Sequence, residues 1–295
     1  MVLVTGATGF VGRHLLRRLA GRPVRGMVRD RARASLPDGV EVVEADMTRP
    51  ETLPPALAGA EQVVHAAAIT ADAKEPYRGA YERINGQGTE NLVAAARQAG
   101  VSRLVVMSGL GTKPAPRGTY MATRHRLEEA VRGSGLPYVI LQPSVLFGRG
   151  AAFIAVLARL ARISPVVPLL GGGGLKFQPF WIEDLTTCLV KALDDRALDG
   201  RAIPLGGAEY ATLREIQQTI HRAMGRARLL VPLPLPVARV QARLMTAVLP
   251  RSPLTPATLE LFSFENATSL DACEKAFGFR PRGFREHLLA HGVEG

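Results

Sequence analysis

The first 150 residues alternate short apolar segments with longer amphipathic ones. Six segments rich in valine and leucine predict buried strands, at Val2–Val4, Val24–Val28, Val40–Val43, Gln62–His65, Leu104–Met107 and Tyr138–Leu141. Four segments between them show the 3.6-residue period of helices, at Val11–Ala20, Pro50–Ala58, Ala80–Ala99 and Tyr120–Gly133. Apolar strands that alternate with helices form a parallel sheet covered on both faces. The pattern therefore predicts a doubly wound α/β fold, which binds its ligands at the carboxyl ends of the strands.

The pattern changes after Gly150. Two stretches rich in proline or glycine, Pro165–Gly174 and Pro232–Pro236, interrupt a series of predicted helices at Ala151–Ile163, Glu183–Leu193, Leu213–Met224, Val237–Val248 and Phe284–His291. A further strand is predicted at Ala202–Leu205. We therefore predict a nucleotide-binding domain over residues 1–150, to which Glu183–Leu205 returns. Residues 151–295 are predicted to form mostly a smaller C-terminal cap that holds the substrate.

The charge of the chain is strongly basic, with 37 basic and 26 acidic residues and a net charge of +11. Arginine supplies 32 of the basic residues and lysine five, which a GC-rich coding bias explains more simply than a nucleic-acid or membrane partner. No nucleic-acid-binding module or aromatic stacking platform is recognisable, so nucleic acid is not expected as a partner. Two cysteines, no room for a signal peptide before the first strand and no uninterrupted apolar stretch of 18 residues predict a cytoplasmic protein.

The strongest motif is a glycine-rich turn between the first strand and the first helix, Thr5-Gly6-Ala7-Thr8-Gly9-Phe10-Val11-Gly12. Gly6 permits the tight turn, Gly9 lets the backbone approach a pyrophosphate, and Gly12 lets the helix pack against the strand. The amide groups and dipole of the helix favour negative charge at its N-terminus. The residues of this turn that are therefore predicted to bind a dinucleotide are Gly6, Thr8, Gly9, Phe10, Val11 and Gly12.

The identity of the dinucleotide depends on the end of the second strand, where an acidic residue suits NAD and an arginine suits the 2′-phosphate of NADP. Arg29 is predicted to be the first residue after the strand, which favours NADP, although a boundary one residue later would bring Asp30 to the ribose. Asp46-Met47 follow the third strand and are predicted to contact the adenine. Ala66-Ala67-Ala68 follow the fourth strand and leave backbone open beside the cofactor.

These motifs resemble those of the extended and atypical short-chain dehydrogenases/reductases, whose nucleotide-binding domain is a Rossmann fold. The resemblance covers nearly the whole chain and includes the glycine-rich turn, His65–Ala68, the motif beginning at Asn85-Gly86, Ser108, Tyr120, and Pro143-Ser144-Val145-Leu146-Phe147-Gly148. Leu254-Thr255-Pro256, Asp271 and Phe277-Gly278-Phe279 resemble the group that contains the nucleotide-binding accessory subunit of respiratory complex I and its bacterial relatives. The resemblance implies that Tyr120, Pro143 and Ser144 also contact the cofactor.

The resemblance also implies a catalytic unit, in which a Tyr-x-x-x-Lys pair works with an upstream serine. A tyrosine, with an ordinary pKa near 10, exchanges a proton with the substrate oxygen, and a nearby cation stabilises the tyrosinate. Tyr120 and Ser108 match the pattern, but Arg124 stands where the family has lysine. Arg124 is a working cation, a cofactor contact in a catalytically weak protein, or a surface residue beside a merely packed Tyr120. Asn85 matches an asparagine that bends a helix and holds a relay water, although a structural contact is the simpler expectation.

Two other features have simpler interpretations than function. His287 and His291 have the i,i+4 spacing of metal ligands, but no third ligand is near them in sequence, and no metal site is predicted. The helices Ala151–Ile163 and Val237–Val248 carry Arg159, Arg162, Arg239 and Arg243 opposite an apolar face, which is expected to pack within the cap. They are also the best candidates for a substrate mouth or for a surface that meets the inner face of a membrane or a protein complex.

Two functions remain open from the sequence. The first is an NADP(H)-dependent oxidoreductase acting on a carbonyl, sugar-nucleotide or quinone-like substrate, with Tyr120 as acid/base and Ser108 orienting the oxygen. The second is an accessory or redox-sensing protein that binds the nucleotide without turnover. The intact tyrosine and serine favour the first, and Arg124 favours the second.

Overall fold

The computed structural model describes residues 1–71, 73, 75–248 and 255–293. Strands β1 to β13 are Val2–Thr5, Val24–Val28, Glu41–Glu44, Gln62–His65, Arg103–Met107, Tyr138–Pro143, Leu146–Phe147, Val166–Leu170, Lys176–Phe177, Phe180–Trp181, Arg201–Leu205, Ala211–Thr212 and Leu229–Leu233. Helices α1 to α11 are Phe10–Arg18, Leu53–Leu57, Gly88–Gln98, Tyr120–Arg132, Ala152–Ile163, Ile182–Asp194, Leu213–Ala223, Leu235–Val248, Pro256–Leu261, Ala272–Phe277 and Phe284–His291. Short 3₁₀ turns lie at Arg31–Arg33, Pro50–Thr52, Gly171–Gly173 and Arg196–Leu198, and a π-helix lies at Glu82–Gln87.

The chain forms two compact units, which divide at Gln142 and Pro143. The first unit contains Met1–Ile69, Glu75–Gln142 and Leu185–Ile203, and the second contains Thr70–Lys74, Pro143–Asp184 and Pro204–Gly295. The predicted division after Gly150 lies a few residues further along the chain. Residues 249–254 and 294–295 of the predicted cap, and with them Leu254 of the tail motif, lie outside the described residues.

The first unit is built on a seven-stranded sheet in the order β11-β6-β5-β4-β1-β2-β3. Strands β1 to β6 pair with one another in parallel, so the predicted doubly wound α/β fold is confirmed. Leu3, Val63, Leu104 and Ile140 point from four central strands into one buried cluster, because alternate side chains of a strand share a face. The strand order reverses between β1 and β4, and that reversal is where a doubly wound fold binds its ligand.

Some predicted elements differ from those observed, each for a local reason. The third strand is not buried, because β3 is the edge of the sheet and two of its four residues are exposed. The predicted helix at Pro50–Ala58 is a 3₁₀ turn followed by the short α2. The predicted helix at Ala80–Ala99 is interrupted by the π-helix at Glu82–Gln87, because the Asn85 side chain bonds to backbone outside the helix.

The second unit contains short strand pairs beside its helices. The stretches rich in proline or glycine contribute to two strands that were not predicted, since β8 and β13 pair in parallel from Leu229↔Val166 to Leu233↔Leu170. Proline fits there because each of these strands has a neighbour on one side in the described sheet. Helix α5 buries Ile154, Ala158 and Ala161, as its apolar face predicts. Helix α8 does the reverse, since it buries Ala238 and Ala242 and leaves larger apolar side chains exposed.

A candidate dinucleotide site and an adjoining tyrosine cluster

The glycine-rich turn between β1 and α1 has the geometry of an anion site. Gly6 has φ +68, and a Cβ at that position would lie 2.7 Å from the carbonyl oxygen of Ala66. A Cβ on Gly12 would overlap the carbonyl oxygen of Gly6. Within the described chain no side chain caps α1, and its first turn contains no acidic residue. The amide groups of this helix end are therefore available to a phosphate, and the residues fit the pyrophosphate of a dinucleotide.

A cavity of about 430 Å³ lies at the point where the strand order reverses. Nine residues predicted to contact the cofactor line it, namely Gly6, Thr8, Gly9, Arg29, Asp46, Met47, Ala66, Ala67 and Ala68. The volume is within the range of small-molecule sites in proteins. Thr48, Ile69, Pro76, Tyr77 and Ile84 also line it and were not predicted. Thr48 and Ile69 each continue a predicted segment, but Pro76, Tyr77 and Ile84 lie in an irregular loop and a distorted helix, where the sequence has no periodic signal.

Arg29 and Asp30 have different environments at the end of β2. The strand ends at Val28, so Arg29 is the first residue after it, and its exposed side chain lines the cavity. Asp30 accepts a hydrogen bond from the backbone amide of Ala32 and pairs with Arg33 at 3.2 Å. Among the described residues no carboxylate forms an ion pair with Arg29. Its guanidinium is therefore available to an anionic ligand, whereas the Asp30 carboxylate already has partners.

The wall after β3 is held by side-chain bonds to the backbone. The Asp46 carboxylate accepts from the backbone amide of Thr48 at 2.8 Å and from its hydroxyl at 2.9 Å. The Asn91 side-chain amide donates to the carbonyl oxygen of Met47 at 2.8 Å. These three bonds fix the conformation of the segment rather than point a polar group at a ligand. Asp46 and Met47 thus shape this side of the cavity, and their contact with adenine stays a prediction.

A series of buried hydrogen bonds through His65 holds the loop after β4, whose residue Ala67 lines the cavity. The Thr89 hydroxyl donates to the carbonyl oxygen of Asn85, so it must accept from Nε2 of His65 at 3.0 Å. His65 Nδ1 is then an acceptor for the Thr5 hydroxyl at 2.8 Å. Thr5 in turn accepts from the amide of Ala67. This arrangement requires a neutral imidazole protonated on Nε2 and connects the loop after β4 to β1.

Asn85 completes this support. Its side chain accepts from the amide of Ile69 at 2.8 Å and donates to the carbonyl oxygen of the same residue at 2.9 Å. Both polar ends of the side chain are therefore engaged with the loop that lines the cavity. This is the structural contact that was favoured for Asn85 over a relay water.

The buried imidazole predicts a pH-dependent stability. Burial lowers the pKa of His65 to about 4, from 6.5 for an exposed histidine. Between pH 6.5 and pH 4 the unfolded chain binds this proton and the folded chain does not. His65 therefore contributes its full stability above pH 6.5, and the free energy of unfolding falls by about 3 kcal/mol as the pH drops to 4. Urea unfolding of the native protein and of His65→Gln at pH 7 and pH 4 measures this; an equal fall in both proteins would contradict it.

Tyr120 and Arg124 lie on α4, and Ser108, which follows β5, reaches the same helix through its hydrogen bond to Glu128. Tyr120 and Arg124 lie one turn apart on the helix, with the guanidinium carbon 5.8 Å from the centre of the phenol ring. The Tyr81 ring packs edge-on against Tyr120 at 5.4 Å. None of Ser108, Tyr120 and Arg124 is among the residues that line the cavity. The structure thus places the predicted catalytic residues in one cluster, and their role stays a prediction.

Arg124 is buried rather than on the surface. Its guanidinium lies against Gly109, where any Cβ would overlap it, and Nη2 donates to the carbonyl oxygen of Leu110 at 3.4 Å. Burial lowers the pKa of Arg124, while Tyr120 and Glu128 act in the opposite direction. The alternative that Arg124 is a surface residue was therefore wrong. Gly109 has no side chain, so the loop has room for the buried guanidinium.

Glu128, one turn beyond Arg124, is a buried carboxylate that the sequence analysis missed. It accepts from the Ser108 hydroxyl at 2.5 Å, from the Gln142 side-chain amide at 2.8 Å and from Arg132 at 2.8 Å. A hydroxyl has one proton, so Ser108 presents only lone pairs to any other group while this bond exists. The spacing Tyr120, Arg124, Glu128 along one helix face could have indicated it.

Four further residues that were predicted to contact the cofactor do not line the cavity. Phe10 and Val11 form the first turn of α1 and are not among the lining residues. Pro143 and Ser144 belong to the second unit, where the Ser144 hydroxyl donates to Asn266 Oδ1 at 2.6 Å and accepts from the amide of Gln178. This buried network gives Ser144 a structural role, and its contact with a cofactor stays a prediction.

Neither a metal site nor a membrane span is present in the part of the chain that the structure describes. His287 and His291 stack at 4.6 Å, but no group of three metal-binding side chains occurs among the described residues. No described helix is long and apolar enough to cross a bilayer.

Comparison with known proteins agrees with the fold and with the glycine-rich turn. The profile of a family described as NAD(P)H-binding matches residues 6–155. A ceramide reductase of Caulobacter vibrioides is 35% identical over 174 residues, which are 58% of this chain and 54% of the reductase. The chain thus spans about half the length of that relative.

Two further relatives cover most of the chain. A mitochondrial NADH dehydrogenase [ubiquinone] 1 alpha subcomplex subunit 9 of Arabidopsis thaliana is 24% identical, over 90% of this chain and 68% of the subunit. A short-chain dehydrogenase/reductase superfamily protein of Agrobacterium tumefaciens with bound NAD has a TM-score of 0.73. It is 20% identical over 99% of this chain and 95% of that structure, a similarity that shows the fold alone.

Proposed function

The chain belongs to the NAD(P)H-binding family, within the extended and atypical short-chain dehydrogenases/reductases, and on this premise we propose that it is an NADP(H)-dependent oxidoreductase. The observation that supports the proposal most is the cluster of Ser108, Tyr120 and Arg124 in the same unit as the dinucleotide cavity. We propose a carbonyl, sugar-nucleotide or quinone-like compound as the substrate. NADP(H), when bound, supplies or accepts the hydride.

The side chains of the cluster handle the substrate oxygen and its proton. Tyr120 exchanges the proton through its phenol oxygen, and Arg124 supplies positive charge beside the ring. Ser108 orients the oxygen in one of two ways. A substrate carbonyl requires the Ser108 hydroxyl to leave Glu128 and donate to the carbonyl, whereas a substrate hydroxyl can donate to the lone pairs that Ser108 already presents.

The residues around the cavity favour NADP over NAD. Arg29 lines the cavity and has no carboxylate partner among the described residues, while Asp30 caps the following turn. A guanidinium forms two charge-assisted hydrogen bonds with a phosphate, which the 2′-hydroxyl of NAD cannot match. We therefore propose Arg29 as the residue that recognises the 2′-phosphate.

Removal of the Arg29 guanidinium is expected to weaken the binding of NADPH but not that of NADH. Arg29→Gln should raise the dissociation constant for NADPH about 10- to 100-fold, because hydrogen bonds to charged groups contribute about 1.5–3 kcal/mol. It should change NADH binding less than about threefold, since NADH lacks the phosphate. Nucleotide fluorescence titrations measure both constants, with Arg31→Gln as the control, because Arg31 is two residues further on and does not line the cavity. Equal losses for the two nucleotides, or a native preference for NADH, would contradict the assignment.

A second function is supported by the same cluster. The guanidinium of Arg124 is held by Leu110 and Gly109, and the Ser108 proton is held by Glu128, so neither group is arranged for proton relay as it stands. The alternative is a nucleotide-binding accessory or redox-sensing protein without turnover. NADPH oxidation at 340 nm with a panel of carbonyl, sugar-nucleotide and quinone compounds separates the two. Binding without oxidation of NADPH across the panel favours the accessory function, and failure to bind either nucleotide removes both.

A further inference from the structure

Two segments of the second unit contain no acidic residue. Residues 143–182 contain four basic residues and residues 216–259 contain six, and neither contains aspartate or glutamate, although the whole chain has 26 acidic residues. A coding bias toward arginine adds positive charge but does not remove carboxylates from particular segments. The separation of charge therefore needs a different explanation from the overall composition.

The structure pairs these two segments through strands β8 and β13. Leu229 lies opposite Val166 in the parallel register, and both side chains are exposed, as is Val231. The alternate residues of β8, Val167 and Leu169, point inward and are fully buried. This small sheet thus has an apolar inner side, which is buried, and an apolar outer side, which is exposed to solvent.

Helix α8, in the second segment, turns Val237, Val240 and Leu244 outward. It buries Ala238 and Ala242 against Leu259, with Leu170 and Leu233 packed beside them. Val237, Val240 and Leu244, at the i, i+3, i+7 spacing of one helix face, are more than half exposed. The exposed side chain of Arg239 lies between them in sequence. An ordinary surface helix would have the opposite pattern.

Exposed apolar side chains are concentrated in these segments. Of the eleven large hydrophobic residues that are exposed in the described chain, seven lie here: Ile163, Val166, Leu229, Val231, Val237, Val240 and Leu244. We call these seven residues, together with four exposed arginines of the same segments, Arg159, Arg162, Arg226 and Arg239, the basic apolar surface. Single exposed leucines are common in proteins, but a concentration of them in two segments that themselves contain no carboxylate indicates a binding surface. An ion pair that reaches these segments from outside joins Lys176 to Glu265 at 3.6 Å, in the short strand β9 rather than in β8, β13 or α8.

We propose that the basic apolar surface docks on an anionic lipid bilayer. Apolar side chains among basic ones suit the interface, where the first enter the acyl boundary and the second meet lipid phosphates. The charge argues against a second copy of the chain on this surface, because two positive faces would repel each other. The proposal concerns the second unit and does not depend on the oxidoreductase activity of the first.

The test is cosedimentation of the full chain with vesicles. The native protein is expected to bind vesicles of phosphatidylcholine with 30% phosphatidylglycerol, and to bind pure phosphatidylcholine at least tenfold more weakly. Raising the salt from 50 to 500 mM should weaken binding to the anionic vesicles, because salt screens the charge. Failure to bind the anionic vesicles, or equal binding to both compositions, would overturn the proposal.

Two pairs of variants separate this surface from the rest of the molecule. The triple variant Leu229→Ser, Val240→Ser and Leu244→Ser should bind at least tenfold more weakly, because it removes apolar area from the interface. Leu270→Ser with Leu289→Ser is the matched control, since both leucines are exposed in the same unit outside the two segments. It should change binding less than twofold.

The charge is tested in the same way. Arg226→Gln with Arg239→Gln should weaken binding about fivefold for each arginine. Arg17→Gln with Arg18→Gln, on exposed positions of α1, should have at most a small effect. An equal loss in a test variant and its control would overturn the assignment of the surface. So would a native dimer in solution that the triple serine variant dissociates, since that result identifies a second copy as the occupant.

Discussion

Tyr120→Phe is expected to lower turnover about 10²- to 10⁴-fold with any substrate of this protein that NADPH reduces. General acid–base catalysis by a positioned side chain contributes that factor, and phenylalanine keeps the ring packing against Tyr81 while it removes the proton. NADPH binding should change less than about threefold, because the Tyr120 side chain does not line the dinucleotide cavity. The initial rate of NADPH oxidation and a fluorescence titration measure the two effects.

The control for this prediction is a tyrosine away from the cluster. Tyr138→Phe changes the first residue of β6 in the same unit and should leave turnover within about twofold of the native rate. Arg124→Lys is the companion variant, because a rise in turnover would show that the native guanidinium attenuates the site. Equal rates for the native protein and Tyr120→Phe would remove Tyr120 from the mechanism, without affecting the proposal for the lipid surface.

Arg103→Met is expected to lower the free energy of unfolding by about 3–5 kcal/mol. The Arg103 side chain is fully buried, and its guanidinium is 2.6 Å from the Asp199 carboxylate. It also donates to the carbonyl oxygens of Leu193 at 3.2 Å and Asp195 at 2.5 Å. Methionine fills similar space but leaves the carboxylate and both carbonyl groups without this donor, and an unpaired buried group is costly.

A second arginine on the same carboxylate provides the control. Arg196 is 3.8 Å from Asp199 but is 56% exposed, so Arg196→Met should cost less than about 1 kcal/mol. Urea unfolding of the two variants and the native protein measures the difference. Similar losses in both variants would show that burial of Arg103 is not what makes its ion pair important.

Much of the first unit follows from local sequence. The strands β1, β2, β4, β5 and β6 and the helices α1 and α4 were predictable, because each is a continuous apolar segment or a regular amphipathic one. The glycine-rich turn was predictable for the same reason, since the steric role of Gly6 and Gly12 depends on neighbours a few residues away. The position of Arg29 depended on where β2 ends, and the hydrophobic pattern predicted that end, Val28, correctly.

Other features required the folded chain. The edge position of β3 depends on strand order, and the pairing of β8 with β13 joins proline-containing segments about 60 residues apart. Tyr77 and Pro76 line the cavity from a loop that has no periodic pattern. Neither strand order nor loop conformation is encoded in the local alternation of polar and apolar residues.

The sequence by itself determined the fold class and the glycine-rich turn, because these depend on periodicity and on a motif within one β-turn-α unit. It also predicted which residues contact the cofactor and that Arg29 favours NADP, and these assignments stay predictions. The tertiary structure alone decided which charges and apolar side chains are paired. It places the Arg124 guanidinium inside the loop at Gly109 and shows that the Ser108 hydroxyl donates to Glu128. It also turns Ala238 and Ala242 of α8 inward and Val237 and Val240 outward. Burial and pairing arise from contacts between segments distant in the chain. The many arginines of this protein therefore differ in burial and in their partners, although the composition does not distinguish them.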